Sequence, residues 1–195
     1  MQTSTGLYFK DGELITTQGE VTIYKMDENL FLEIGPGHNL CSSESEYTSF
    51  MEQLGDKPKG SCLEIGLGLG IASRCILTYP NVTNLTTIEI RKNVIRAHEV
   101  VIPLLDEKIE KWDFYDRKKH TIINYDGLMY MLSTKNKFDF IFMDFYKIVD
   151  EDTLPLIKDM VACAKTVLRP GGKIAGWLDP YTPVEYVEEF LSTFN

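Results

Sequence analysis

The segment Leu63-Glu64-Ile65-Gly66-Leu67-Gly68-Leu69-Gly70 constrains this chain more than any other. A short apolar run, SCLEI, meets three glycines spaced two apart, and a helical apolar stripe (Ile71, Ala72, Cys75, Ile76) follows. The pattern predicts a strand, a tight turn and a helix. Gly66 and Gly68 let the backbone turn sharply and approach a ligand with no Cβ in the way. The helix N-terminus then presents unpaired N–H groups to whatever sits there. A dinucleotide fingerprint spaces its glycines G-x-G-x-x-G. Here the third glycine falls due at Ile71 and stands one residue early, at Gly70. That spacing departs from dinucleotide binding, and taken alone it marks only a tight turn.

From residue 61 onward, strand and helix patterns alternate. LTTIEI reads as a strand, and Val94, Ile95, His98, Val101 and Ile102 form a helical stripe. HTIIN is a strand, followed by a short helix through Leu128, Met129 and Leu132. FDFIFMD is nearly continuous apolar sequence, as a central parallel strand covered on both faces requires. Leu156, Ile157, Met160, Val161, Ala164, Val167 and Leu168 predict a long amphipathic helix. Arg169-Pro170-Gly171-Gly172 ends it, KIAGWLD is the next strand, and 183–193 is a last helix. Such alternation implies a parallel sheet with right-handed crossovers.

Residues 1–41 read differently. LYF, ELITT, VTIYK and LFLEI are β-branched and aromatic runs punctuated by glycines, and Lys10-Asp11-Gly12-Glu13 is a hairpin turn signal. They predict a small antiparallel meander. Leu32-Glu33-Ile34-Gly35-Pro36-Gly37 nearly repeats the later glycine segment, but no amphipathic helix follows it, so it reads as a meander strand ending in a turn. Residues 42–60 hold a helix, Ser42 to Leu54 with Ser42 or Ser43 as N-cap, and the linker GDKPKG. The expected division is therefore a meander over 1–41, a helix and linker over 42–60, and an α/β Rossmann-like unit over 61–195.

The formal net charge of -9 disfavours a phosphate backbone as partner. The local basic run Arg117-Lys118-Lys119-His120 reads as a solvated loop before a strand. Cys41, Cys62, Cys75 and Cys163 form no C-x-x-C pair, so a structural metal site is not expected, and the last three sit in apolar runs as small core residues. No signal peptide and no run near the ~20 apolar residues of a membrane span is legible. The expectation is a soluble cytoplasmic protein.

Acidic residues stand at successive strand ends. Glu89-Ile90 closes the strand after the glycine loop, where an acid accepts ribose hydroxyls. Asp126-Gly127 follows the third strand and suits either an adenine amine or a helix N-cap. Asp144 ends the fourth. Acids at the carboxyl ends of parallel strands line the crevice where such sheets bind ligands.

LEIGLGLG, TTIEI, NYDG, FDFIFMD and LRPGGKI, in that order over residues 61–178, resemble the successive motifs of class I S-adenosylmethionine-dependent methyltransferases. The resemblance implies S-adenosyl-L-methionine as cofactor and five parallel strands beside the meander. It implies that Gly66, Leu67, Gly68 and Gly70 pack against the methionine and ribose, and that Glu64 helps hold the methionine amine. Glu89 and Ile90 would meet the ribose, Asp126 and Gly127 the adenine, and Asp144 the reacting centre. Within that superfamily the chain is similar to spermidine synthases, through the preceding meander, the acidic stretch before Tyr47, EIRKNVIRAHE and NYDGLMYM. Two departures stand out. Those enzymes carry an Asp in the glycine loop, where this chain has Leu69. They also carry Asp-Ser-Ser-Asp-Pro at the catalytic acid, where Asp144 is here followed by Phe145, Tyr146 and Lys147.

Aminopropyl transfer needs carboxylates to hold the cofactor's amine and to deprotonate the attacking amine. Losing two of them favours methyl transfer to a small-molecule amine, guanidine or hydroxyl. Asp144 and Tyr146 are then the catalytic candidates and Tyr47 a substrate contact; GLGLGIA and the Asp-x-Tyr arrangement also resemble guanidino-N-methyltransferases. The alternatives are spermidine-synthase-like aminopropyl transfer from decarboxylated S-adenosylmethionine, a catalytically inactive nucleoside-binding scaffold, and a metal-dependent O-methyltransferase with Asp179 as its one further acid. The family usually adds two strands after the fifth. A sheet edge without them would be covered by the meander, by a partner in a homo-oligomer, or left short.

Overall fold

The computed structural model describes residues 12–26, 29–35, 39–42, 44–108 and 116–194. The hairpin turn expected at Lys10–Glu13 lies partly outside those residues, and Ser43, one of the two N-cap candidates, wholly so.

Four antiparallel strands open the chain: β1 (Glu13–Gln18), β2 (Val21–Met26), β3 (Asn29–Ile34) and β4 (Asn39–Ser42), paired in sequence order. Helix α1 (Glu44–Leu54) leads to β5 (Gly60–Ile65), α2 (Ile71–Leu77), β6 (Val82–Glu89) and α3 (Lys92–Lys108). Then come β7 (His120–Asn124), α4 (Gly127–Ser133), β8 (Phe138–Met143), α5 (Thr153–Val167), β9 (Leu168–Gly176) and α6 (Val184–Thr193). The second sheet is wholly parallel, in the order β7-β6-β5-β8-β9.

Strand periodicity assigns side chains to two cores. In β5 and β8, Cys62, Phe140 and Phe142 face α1, α2 and α3, while Leu63, Ile65, Ile141 and Met143 face α4, α5 and α6. This explains why FDFIFM shows no polar alternation: both faces are covered. Burying Phe142 contributes about 2–3 kcal/mol. The meander joins the first core through Val21, Ile23, Leu30 and Leu32, and Asn93 of α3 donates to Glu20 at 2.7 Å.

β9 departs from expectation. It starts at Leu168, directly after α5, and its pairing with β8 jumps from Phe138–Leu168 to Phe140–Lys173. Arg169-Pro170-Gly171-Gly172 is thus a bulge inside the strand rather than a linker before it. The strand ends at Gly176, so Trp177, Leu178 and Asp179 fall in the loop beyond it. Leu168 belongs to the strand and not to the helix. Arg117-Lys118-Lys119 forms a single 3-10 turn, exposed at Arg117 and Lys118 and half-buried at Lys119, with Asp116 accepting from the Lys118 N–H.

Candidate active site

The sheet is wound outward from β5 in both directions, β6 and β7 to one side and β8 and β9 to the other, and an open α/β sheet binds ligands outside the carboxyl ends at that switch point. A cavity of about 640 Å³ opens there. Its floor is the glycine loop, with Leu67 and Leu69 as side chains.

Each glycine has its own reason. A Cβ on Gly66 (φ 98°) would overlap the carbonyl of Asp144 across the switch point. Gly68 (φ 50°) has open space beside it and faces the cavity. Gly70 (φ 78°) precedes α2, and a Cβ there would overlap the His98 ring. His98 is 1% exposed and its Nδ1 lies 3.0 Å from the Leu69 carbonyl. Burial pushes its pKa down to about 4, so the ring is neutral and Nδ1–H donates. The helical stripe that predicted packing for His98 therefore also supplies a prop under the loop.

Glu89 fastens the loop from the β6 end. Its Oε2 accepts from the Leu67 N–H at 3.1 Å and its Oε1 from the Arg91 N–H at 2.7 Å. Each oxygen keeps a lone pair for a ligand hydroxyl. Asp126 is the N-cap of α4, accepting from the Met129 N–H at 2.8 Å, and it lines the cavity as well. Ile90, Gly127 and Leu128 complete that side.

Glu64 does not line the cavity. It lies fully buried behind the loop, its Oε2 accepting from Ser73 and Thr87 hydroxyls at 2.5 Å each, while Oε1 has no partner. Thr87 Oγ1 in turn lies 2.7 Å from His120 Nε2. Desolvation pushes Glu64 up to about 7, against the two hydroxyl bonds that lower it. Its carboxyl group thus lies beneath the loop and not on the cavity lining.

Asp144 borders the cavity where β8 ends, its N–H donating to the Ile65 carbonyl at 2.8 Å. Burial, then the charges of Glu64, Glu46 and Glu89, hold its carboxyl well above the usual carboxylate range. Tyr146 lines the cavity as well. Its hydroxyl is buried against Gly176 without a partner, and the ring packs edge-on to Phe145 and Phe190. Tyr47 is not in the cavity at all: it packs with the core between α1 and α2, where burial and then Cys75 raise its pKa. Its neighbours Glu46 and Phe50, one turn apart, face the cavity instead.

Several lining residues were not expected. Trp177 stacks on Phe50 with ring centroids 4.3 Å apart and forms the wall beyond β9. Asp179, Arg91, Lys147 and Ile34 also line it. Reading KIAGWLD as one strand hides Trp177, whereas Asp179 enters the sequence reading only as a candidate metal acid and the i, i+4 pair Glu46/Phe50 is a usable signal. The cavity thus offers a glycine cradle, an acid at the end of β6 with lone pairs to spare and an acid at the switch point, a set that fits an adenosyl sulfonium cofactor.

A family model for the spermine/spermidine synthase domain matches residues 44–176. The chain belongs to that family. The match runs from the first residue of α1 to the last of β9, so among the described lining residues Ile34, Trp177, Asp179 and Tyr181 stand outside it. Spermidine synthase from Thermotoga maritima shares the fold with a TM-score of 0.65 at 18% identity, covering 93% of this chain and 62% of that one. A spermidine synthase in complex with the transition state analogue AdoDATO gives 0.66 at 18% identity, with coverage of 93% and 62%. Precorrin 8W decarboxylase from Methanobacterium thermoautotrophicum gives 0.53 at 13%, covering 78% and 70%. The chain therefore spans 62% of the length of the two spermidine synthases. No curated protein matches the sequence significantly.

Proposed function

We propose that this spermine/spermidine synthase family member is an S-adenosylmethionine-dependent transferase that methylates a small-molecule amine. The carrying observation is the loop floor: Leu67 and Leu69 are its side chains, so no loop carboxylate faces the cavity to hold a decarboxylated cofactor's amine. When bound, the cofactor supplies an electrophilic methyl carbon on a sulfonium.

The chain's residues do the rest. Loop N–H groups and the free lone pairs of Glu89 hold and orient the nucleoside. Asp126 offers its second oxygen at the adenine end. Phe50, Trp177 and Met160 exclude water around the reacting atoms. Asp144, held above the ordinary carboxylate range, is a stronger base once ionised and takes the proton that an attacking ammonium must lose. Positioning supplies much of the rate. A cationic acceptor suits the wall, since Glu46, Asp144 and Asp179 border the cavity in addition to the acids assigned to the nucleoside. A guanidine fits that wall equally, and a hydroxyl acceptor draws less from it.

Aminopropyl transfer is the second reading. The family match and those three carboxylates favour it, since a diamine acceptor needs acids at both ends. Calorimetric titration with ordinary and decarboxylated S-adenosylmethionine separates the two. Tighter binding of the ordinary cofactor, with label transfer from methyl-labelled cofactor to a panel of amines, is expected. A clear preference for the decarboxylated form would sink methyl transfer. Asp144→Asn should keep cofactor affinity and lose turnover; turnover unchanged in that variant removes Asp144 from the mechanism.

A further inference from the structure

Lys147 is a cavity residue to which the transferase reading gives no task. It lies in the loop after β8, three residues beyond Asp144, and borders the cavity. A loop lysine is ordinarily just solvated. Three observations set this one apart.

Its point of attachment is fixed. The two residues before it are anchored, Phe145 edge-on to Tyr146 at 5.0 Å and Tyr146 edge-on to Phe190 at 6.1 Å. The backbone at 147 is therefore held by the second core and does not drift with solvent.

Its charge is also unspent. Glu46, Glu89, Asp126, Asp144 and Asp179 all line the same cavity, yet Lys147 makes no hydrogen bond or ion pair among the described residues. Asp144, three residues before it, has its pKa raised by burial and by Glu64, Glu46 and Glu89. Arg91, the other cation of the wall, stands differently: its N–H is bound to Glu89, and its charge acts on Glu20.

The charge pattern matches a zwitterion. Carboxylates around Asp144 receive positive groups, and the unpaired ammonium of Lys147 borders the same cavity. A ligand carrying only positive charge finds Lys147 repulsive. A ligand with both an ammonium and a carboxylate satisfies both parts. Lys147 also stands where spermidine synthases carry the second acid of Asp-Ser-Ser-Asp-Pro, and Leu69 replaces a further acid, so this cavity is more tolerant of an anion than that pattern is.

We infer that Lys147 binds the carboxylate of a zwitterionic ligand in this cavity, either the methionine carboxylate of the cofactor or a carboxylate on the acceptor. The inference rests on the transferase reading.

The test is calorimetry on the full chain, comparing the parent with Lys147→Met and Lys147→Arg. The exposed side chain makes no internal bond, so both variants should fold. One arm titrates ordinary and decarboxylated S-adenosylmethionine. The other titrates ornithine and putrescine, which differ by one carboxylate, in the presence of saturating S-adenosylhomocysteine. If the cofactor supplies the carboxylate, the parent prefers the ordinary form, Lys147→Met weakens it about tenfold and leaves the decarboxylated form unchanged, and Lys147→Arg retains most of the preference. If the acceptor supplies it, the cofactor arm is flat, ornithine binds more tightly than putrescine, and Lys147→Met erases that difference. Cofactor binding in the parent with neither preference altered by Lys147→Met overturns the inference and leaves the transferase reading standing. A parent that binds neither cofactor overturns both.

Discussion

Leu-Glu-Ile-Gly occurs twice in this chain, at 32–35 and 63–66, and both copies border the same cavity through Ile34 and Ile65. Both glycines have positive φ, 62° at Gly35 and 98° at Gly66. Both glutamates stand opposite a threonine in register, Glu33 against Thr22 and Glu64 against Thr87. The difference lies in what surrounds them. The first copy ends an antiparallel strand, and a Cβ on Gly35 would meet nothing within 4 Å. The second is flanked by parallel strands on both sides and capped by α2, so Gly66 abuts the backbone of Asp144 and Glu64 is sealed from water. Four identical residues make a simple turn in one place and a ligand floor in the other, because only the second sits at the switch point.

Substituting the two glycines breaks this comparison most sharply. Gly66→Ala should cost about 3 kcal/mol or more, from backbone overlap added to strain, and should abolish S-adenosylmethionine binding in calorimetry. Next comes the sealed carboxyl. Glu64 has a folded pKa near 7 against an ordinary 4.5, so the folded state holds a proton that the unfolded state has lost between those values. Its stabilising share is full below pH 4.5 and is lost as pH rises through 7. Relative to Glu64→Gln, which has no proton to lose, the parent should fall by about 3 kcal/mol across that window in urea titrations, at ~1.4 kcal/mol per pKa unit. His98 and His120, lowered to about 4 and about 3, push stability the opposite way as pH rises, but both chains carry them, so they cancel in the difference. His98→Ala removes a prop that the first copy lacks; it should cost about 2–3 kcal/mol and weaken cofactor binding, with the melting midpoint and the titration read together. Smallest is Gly35→Ala, at about 1 kcal/mol from positive φ alone, with cofactor affinity unchanged.

The strand-end acids were legible because two simple rules locate them: apolar runs mark parallel strands, and ligands bind past their carboxyl ends. Glu89, Asp126 and Asp144 all border the cavity on that basis. Tyr47 failed because α1 has a broad apolar stripe, and nothing in the sequence says which edge of it meets α2 and which the cavity. Glu64 failed for a related reason. Strand alternation puts its side chain on the α2 side of the sheet, whereas the glycines that follow turn the backbone, not the side chain, toward the ligand. The Arg169–Gly172 bulge was hidden because proline and two glycines signal a break as readily as a strand irregularity.

The contact of Trp177 with Phe50 gives the site a built-in optical reporter. The chain has two tryptophans, Trp112 and Trp177, and Trp177 forms part of the cavity wall while only 8% exposed. An adenine or acceptor entering the cavity changes the polarity around that indole. With Trp112→Phe as background, emission intensity and wavelength should titrate with ligand, so occupancy becomes readable without label, acceptor or turnover.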